Sequence, residues 1–153
     1  MLYDFSIIIP FYNAKKFVKQ SLKNTFKITE NKTNIEIIYV DNNSKDNSYS
    51  IIKNQIKNFK NFKIFSTNKK KGMGPGIARN LGIKKSNSRF LTFLDIDDCI
   101  QPSNINKLIE YCKKFKGNFF LLKTKSSKND FKNINYNKKN IKKFFKKSNN
   151  MHA

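Results

Sequence analysis

Three of the chain's ten acidic residues, Asp95, Asp97 and Asp98, fall within four positions of one another. Carboxylates that close repel one another unless a cation compensates them. In an extended segment Asp95 and Asp97 project to the same side, a separation suited to one hard divalent ion. Magnesium or manganese gripped by one or two carboxylates completes its shell with water and phosphate oxygens. Such an ion would act as a Lewis acid on a diphosphate leaving group. Asp98 alone could also be read as a cap for a helix expected to start at Pro102, but the triplet could not.

Asp41 stands in a different setting, Val40-Asp41-Asn42-Asn43-Ser44-Lys45-Asp46. A carboxylate at a strand end followed by small polar residues can accept hydrogen bonds from a base N–H or a ribose hydroxyl. Asp46 reads instead as an ordinary helix cap. Gly72-Met-Gly-Pro-Gly-Ile-Ala-Arg-Asn80 joins a pliable loop to a helix start. Backbone N–H groups there can approach phosphate, and Arg79 adds a charged fork. Glycine-rich turns are common, but Arg79 and Arg89 are the only arginines among 32 basic residues. The one histidine, His152, sits next to the C-terminus, which excludes histidine-based catalysis. Cys99 and Cys112 have neither zinc-finger nor redox spacing and read as packed thiols in a reducing cytosol.

The elements that must position these residues alternate between short apolar runs and amphipathic stretches. Phe5 to Pro10 reads as a buried strand stopped by its proline. From Ala14 to about Phe26, a helix would hold Phe17, Val18, Ser21, Leu22 and Thr25 on one face. Ile35 to Asp41 is a second strand, rich in β-branched residues. Ser44 to Phe59 reads as a helix with Tyr49, Ile52, Ile56 and Phe59 inward and Ser44 or Asp46 as cap. Phe62 to Phe65, Arg89 to Asp95 and Asn118 to Lys123 are further strands. Helices are expected from Ile77 to about Lys84 and from Pro102, the latter with Ile105, Leu108, Ile109 and Cys112 inward. This alternation implies right-handed crossovers and a mostly parallel α/β sheet with helices on both faces. Ligands bind such sheets beyond the carboxyl ends of the strands. Here those ends are Pro10 to Asn13, Asp41 to Asn43, Ser66 to Asn68 and Asp95 to Asp98.

A net charge of +22 points toward a polyanionic partner. Scarce arginine argues against sequence-specific nucleic-acid recognition, because arginine is the residue that forks phosphates and base edges. Abundant Lys, Asn, Ile and Phe throughout resemble a composition bias, so the lysines read as a solvated surface with a weak attraction to anionic membrane. Phe5 to Pro10 is too short to span a bilayer, and no targeting segment is visible.

Four motifs, Ser6-Ile-Ile-Ile-Pro-Phe-Tyr-Asn13, Glu36-Ile-Ile-Tyr-Val-Asp-Asn-Asn-Ser-Lys-Asp46, Gly76-Ile-Ala-Arg-Asn-Leu-Gly82 and Phe93-Leu-Asp-Ile-Asp-Asp98, closely resemble the family 2 glycosyltransferases in order and spacing. The resemblance covers residues 5 to about 115. It implies a Rossmann-like GT-A fold, a nucleotide-sugar donor, a Mg²⁺ or Mn²⁺ ion, inversion at the anomeric carbon and a bacterial surface-glycan or lipid-linked acceptor. Carried over, Pro10 and Tyr12 flank the nucleotide base, Asp41 bonds it and Arg79 lies beside the nucleotide. Asp95 and Asp97 form the Asp-X-Asp metal motif, with Asp95 also reaching the donor, and Asp98 extends it. The implied place is cytoplasmic, with peripheral contact at the inner face of the membrane.

The departure from the family lies downstream. An inverting transferase needs a carboxylate to deprotonate the acceptor hydroxyl, which the family supplies well beyond the Asp-X-Asp segment. Here only Glu110 and Asp130 follow Asp98. Asp130 is the candidate base, but its lysine-rich surroundings lack the family context. The expectation is a donor-binding domain over 1–123 and a basic, weakly ordered tail over 124–153, with one helix near Asn140 to Lys147. Asn149 to Ala153 resembles the start of a missing acceptor-binding half, so the chain is expected to be truncated and to bind donor without efficient transfer. The alternative is a basic, non-catalytic module on anionic membrane or nucleic acid. A nucleotidyltransferase is disfavoured because no basic glycine loop follows the first strand directly.

Overall fold

The computed structural model describes residues 3–30, 34–67 and 74–114, with the side chains of 111–114 outside that description. Four parallel strands, β1 (Tyr3–Phe11), β2 (Ile35–Asp41), β3 (Phe62–Ser66) and β4 (Ser88–Phe93), lie in the order β3-β2-β1-β4. Between and after them run α1 (Lys15–Thr29), α2 (Ser48–Ile56), α3 (Pro75–Lys85) and α4 (Pro102–Lys114). The doubly covered parallel α/β sheet expected from the sequence is the fold observed.

Strand alternation divides the core into two faces. Ile8, Ile38 and Val40 pack against Ala78 of α3, with Phe65 and Leu81 at the margin. The opposite face carries α1, where the buried Tyr39 hydroxyl shares hydrogen bonds with Ser21 (3.0 Å) and Thr25 (3.1 Å). That pairing explains two polar residues on the inward face of α1. Burial pushes the Tyr39 phenol up, against the opposing pull of those two hydroxyls. α2 packs on α1 and β3, and α4 on α1. Strand order reverses between β1 and β4, so the ligand-binding crevice of this topology lies beyond their carboxyl ends.

Several boundaries differ from expectation for identifiable reasons. β1 does not stop at its proline but continues through Pro10 to Phe11. The Ile8 carbonyl accepts the last ladder bond from β4's side, from Leu94 N–H at 3.0 Å. Pro10 faces that same side beyond Phe93, where β4 has ended, so its missing donor removes no sheet bond. β4 itself ends at Phe93, not Asp95. α2 is shorter than expected because 42–47 are used as a connecting loop, with Asn43 at φ 67°. Phe59, expected inward, stacks on Phe26 and Phe62 but stays 46% exposed. Cys99 is exposed rather than packed. The Cys112 side chain, the strand expected at Asn118 to Lys123, the helix near Asn140 to Lys147 and the 123/124 boundary lie outside the described residues.

Candidate functional site

The parallel register brings Phe11, Asp41 and Ser66 side by side at the carboxyl edge of the sheet. Asp41 is 4% exposed and both its oxygens are engaged. Oδ1 accepts the Ser44 N–H at 3.0 Å, and Oδ2 accepts the Ser66 hydroxyl at 3.3 Å. One residue past β1, Tyr12 stands 50% exposed, a ring face open for stacking. Pro10 is buried within the strand opposite Val40, so Tyr12 is the member of that pair that reaches the surface.

Two connecting loops are laced together around this point. Asn13 adopts φ 47° and Asn43 φ 67°, left-handed conformations that asparagine tolerates better than most residues. The Asn13 N–H donates to the Ser44 hydroxyl at 2.9 Å, and Asn13 Oδ1 accepts the Lys45 N–H at 2.8 Å. Asp46 serves two helix starts at once, accepting the Lys15 N–H of α1 and the Ser48 N–H of α2. A carboxylate at a helix N-terminus is favoured by both the orphan amides and the helix dipole. Burial raises the Asp46 pKa, but hydrogen bonds from Ser48 and the two amides, with the Lys15 charge, outweigh it and leave a net lowering. The local sequence pattern points Asp46 to one helix only and gives Asn13 no role. Asparagines directly after predicted strands were the available signal.

Beyond β4, the acid triplet lies in a turn closed by the Asp98 N–H on the Asp95 carbonyl at 3.0 Å, not in the extended segment expected. Leu94 and Ile96 are buried, while Asp95, Asp97 and Asp98 are exposed. The two inward side chains still turn the intervening acids toward solvent. The following loop is fastened to α1 by Asn24, which donates to the Ile100 carbonyl (2.9 Å) and accepts its N–H (3.1 Å). Partial burial, then the neighbouring Asp97 and Asp95 charges, push the Asp98 carboxyl up. Crowded negative charge on all-oxygen donors fits a hard divalent cation. Among the described residues, however, no three acidic, histidine or cysteine side chains already converge as a cage.

Arg79, one turn into α3, donates to Asp95 at 2.8 Å and lies over the Phe93 ring. With both partners partly exposed, such a pair contributes at most about 1 kcal/mol and opens readily. Gly74, Pro75 and Gly76 are exposed at the start of α3, while Gly72 and Met73 lie outside the described residues. Glu110 is exposed on α4, and Asp130 falls outside the described residues.

A second carboxylate, unremarked in the sequence, lies toward the opposite edge. Glu36 is fully buried and accepts hydrogen bonds from Ser6 Oγ (2.8 Å), the Asn87 N–H (3.1 Å) and Lys63 Nζ (2.5 Å). It ties β1, β2 and β3 to the start of β4, and its hydrophobic sequence neighbours gave no hint of these partners.

Residues 6–152 match glycosyl transferase family 2. An uncharacterised glycosyltransferase of Haemophilus influenzae is 37% identical over 106 residues, covering 69% of this chain and 41% of the relative. The poly(ribitol-phosphate) beta-N-acetylglucosaminyltransferase TarS of Staphylococcus aureus is 30% identical over 121 residues, or 79% of this chain and 21% of TarS. The crystal structure of TarS 1–349 with UDP-GlcNAc superposes with a TM-score of 0.65 over 72% of this chain and 31% of that one. A Pyrobaculum calidifontis mannosyltransferase in complex with GDP-Man and Mn²⁺ has a TM-score of 0.60 at 16% identity, covering 70% of this chain and 32% of that one; that likeness bears on the fold alone. The chain thus spans less than half the length of the relatives it matches.

Proposed function

The chain belongs to glycosyltransferase family 2, and from that premise we propose that its carboxyl sheet edge binds a nucleotide-diphosphate sugar for metal-dependent transfer with inversion. The observation that carries this reading is the shared edge: Asp41 ends β2, the acid turn follows β4, and β1 with exposed Tyr12 runs between them. Tyr12 would stack on the base beside Pro10, and Asp41 would accept a hydrogen bond from the nucleoside. Asp95 and Asp97, with Asp98 beside them, would hold Mg²⁺ or Mn²⁺, whose chemistry there is neutralising charge on a departing diphosphate. Arg79 would leave Asp95 for a donor phosphate, an exchange that costs little for a partly exposed pair.

Because TarS acts on poly(ribitol-phosphate) by its name, a phosphate-bearing surface polymer is the acceptor class we favour. The protein would work in the cytoplasm, in peripheral contact with the inner face of the membrane. Net positive charge and the absence, among the described residues, of a helix long and apolar enough to cross a membrane are compatible with that.

Calorimetric titration with UDP and other nucleoside diphosphates, with manganese or with chelator, tests the core of the proposal. Binding is expected only with the ion, and Asp97→Ala should abolish the difference. Equal affinity in chelator and manganese would refute it. Metal-independent, steeply salt-sensitive binding to polyanions would instead favour the basic-module reading.

A further inference from the structure

α1 carries a lysine at every fourth position, Lys15, Lys19, Lys23 and Lys27, and all four line one groove that runs against α2. Successive members rise about 6 Å, so the row extends about 18 Å along the helix. Like charges at this spacing repel one another. Among the described residues Glu30 is the single carboxylate lining the same groove, and Lys60 adds a further positive charge. With Asp46 beside Lys15 and Glu30 in the groove, the row still carries a net positive charge, concentrated on Lys19, Lys23 and Lys27.

Between the lysines the groove is apolar. Leu22 and Val18 close its floor, Phe26 and Ile51 are half-buried in it, and Phe59 presents nearly half of its surface to solvent. Phe59 rests on Phe26 at 4.9 Å between ring centroids and on Phe62 at 5.6 Å. A supported aromatic ring left exposed beside a row of ammonium groups matches an amphiphile, anionic at its head and apolar beneath. A soluble polyanion would use the lysines and leave the aromatic floor unexplained. Lysine, as a point charge on a flexible apolar stem, suits headgroup phosphates and can bury its methylenes at the same boundary.

We propose that this face of α1 docks the protein on a bilayer containing acidic phospholipids, with Lys19, Lys23 and Lys27 on the headgroups and Phe59 at the acyl boundary. The inference gives a surface to the peripheral membrane contact and rests on that reading, not on the donor site. Docking along α1 would hold the sheet edge, where Lys15 begins the helix beside Asp46, at a constant orientation to the membrane and to a lipid-linked acceptor.

Co-sedimentation of the full chain with phosphatidylglycerol-containing and purely phosphatidylcholine vesicles tests it. Binding is expected on the anionic vesicles alone and should weaken with salt. At roughly fivefold per lysine near an anionic surface, K19Q/K23Q/K27Q should lose about a hundredfold in partitioning. Phe59→Ser should lose roughly tenfold, and K84Q/K85Q/K107Q, outside the groove, clearly less than the groove triple. Circular dichroism and nucleotide titration check that each variant is folded. Should no vesicle bind the wild type, the membrane contact itself falls. Equal losses from the two lysine triples, or no loss from Phe59→Ser with equal binding to a soluble polyphosphate, would overturn the groove while leaving the donor reading untouched.

Discussion

Asp41 illustrates how one carboxylate can organise a loop and still be available to a ligand. It accepts one bond on each oxygen, from Ser44 and Ser66, and an ionised carboxylate has about four acceptor sites. Replacing it by alanine should weaken nucleotide binding by about 1.5–3 kcal/mol, roughly ten- to a hundredfold, with the metal requirement intact. Asp41→Asn keeps an acceptor for the Ser44 amide, so a comparable loss in that variant would assign the effect to charge rather than to loop disorder. An unchanged dissociation constant in folded Asp41→Ala would reduce Asp41 to a turn residue. Arg79 and Asp95 show the complementary case, a contact whose partial exposure makes it weak enough to exchange.

At the scale of elements, α3 is seated on the sheet more closely than ordinary side chains allow. A Cβ built on Gly82 would lie 2.3 Å from Cγ2 of buried Ile8. That methyl sits on a β-branched carbon with little freedom to swing away. Gly82→Ala gains up to about 1 kcal/mol in helix propensity but forces overpacking that costs about 1–3 kcal/mol. Net destabilisation of up to about 2 kcal/mol is expected, read as a lower urea midpoint with unchanged slope. A midpoint at or above wild type would show that α3 shifts outward at no cost. The same seating holds Ala78 against Ile8, Ile38 and Val40, and thereby Arg79 beside Phe93 and Asp95. On the other face, Asn24 anchors the loop after the acid turn, so both sides of that turn are positioned by helices.

At the scale of the 153-residue chain taken by itself, we propose that donor binding and acceptor transfer separate. The groups proposed for the donor fall within residues 10–98. Of the carboxylates beyond them, Glu110 is exposed on α4 and Asp130 is not described. Loss of general-base assistance typically costs about 10²- to 10⁴-fold. Donor hydrolysis by water should therefore be measurable in the 153-residue chain, while acceptor glycosylation stays at or below it. The check compares the two rates with a cell-wall glycan mixture as acceptor. Robust acceptor-dependent turnover would refute this and make Asp130 the first residue to mutate.

Hydrophobic periodicity determined the α/β alternation, the parallel sheet and the limits of β2, because a strand buried on both faces is apolar along most of its length. The same logic located Asp41 and the Asp95–Asp98 cluster near strand ends, the edge where such sheets bind ligands. Tertiary structure decided what no local pattern carries. Pro10 could stay inside β1 only because β4 had already ended beside it. Ser44 to Asn47 became a loop, not helix, because Asp41 and Asn13 accept the Ser44 and Lys45 amides. The acid segment turned instead of extending, since β4 ran out of ladder at Ile8. Glu36 could be buried only where Ser6, Lys63 and Asn87 meet, from 27 to 51 residues away in sequence. Sequence pattern encodes which face of an element is apolar, while the partners of individual polar groups depend on contacts between segments far apart in the chain.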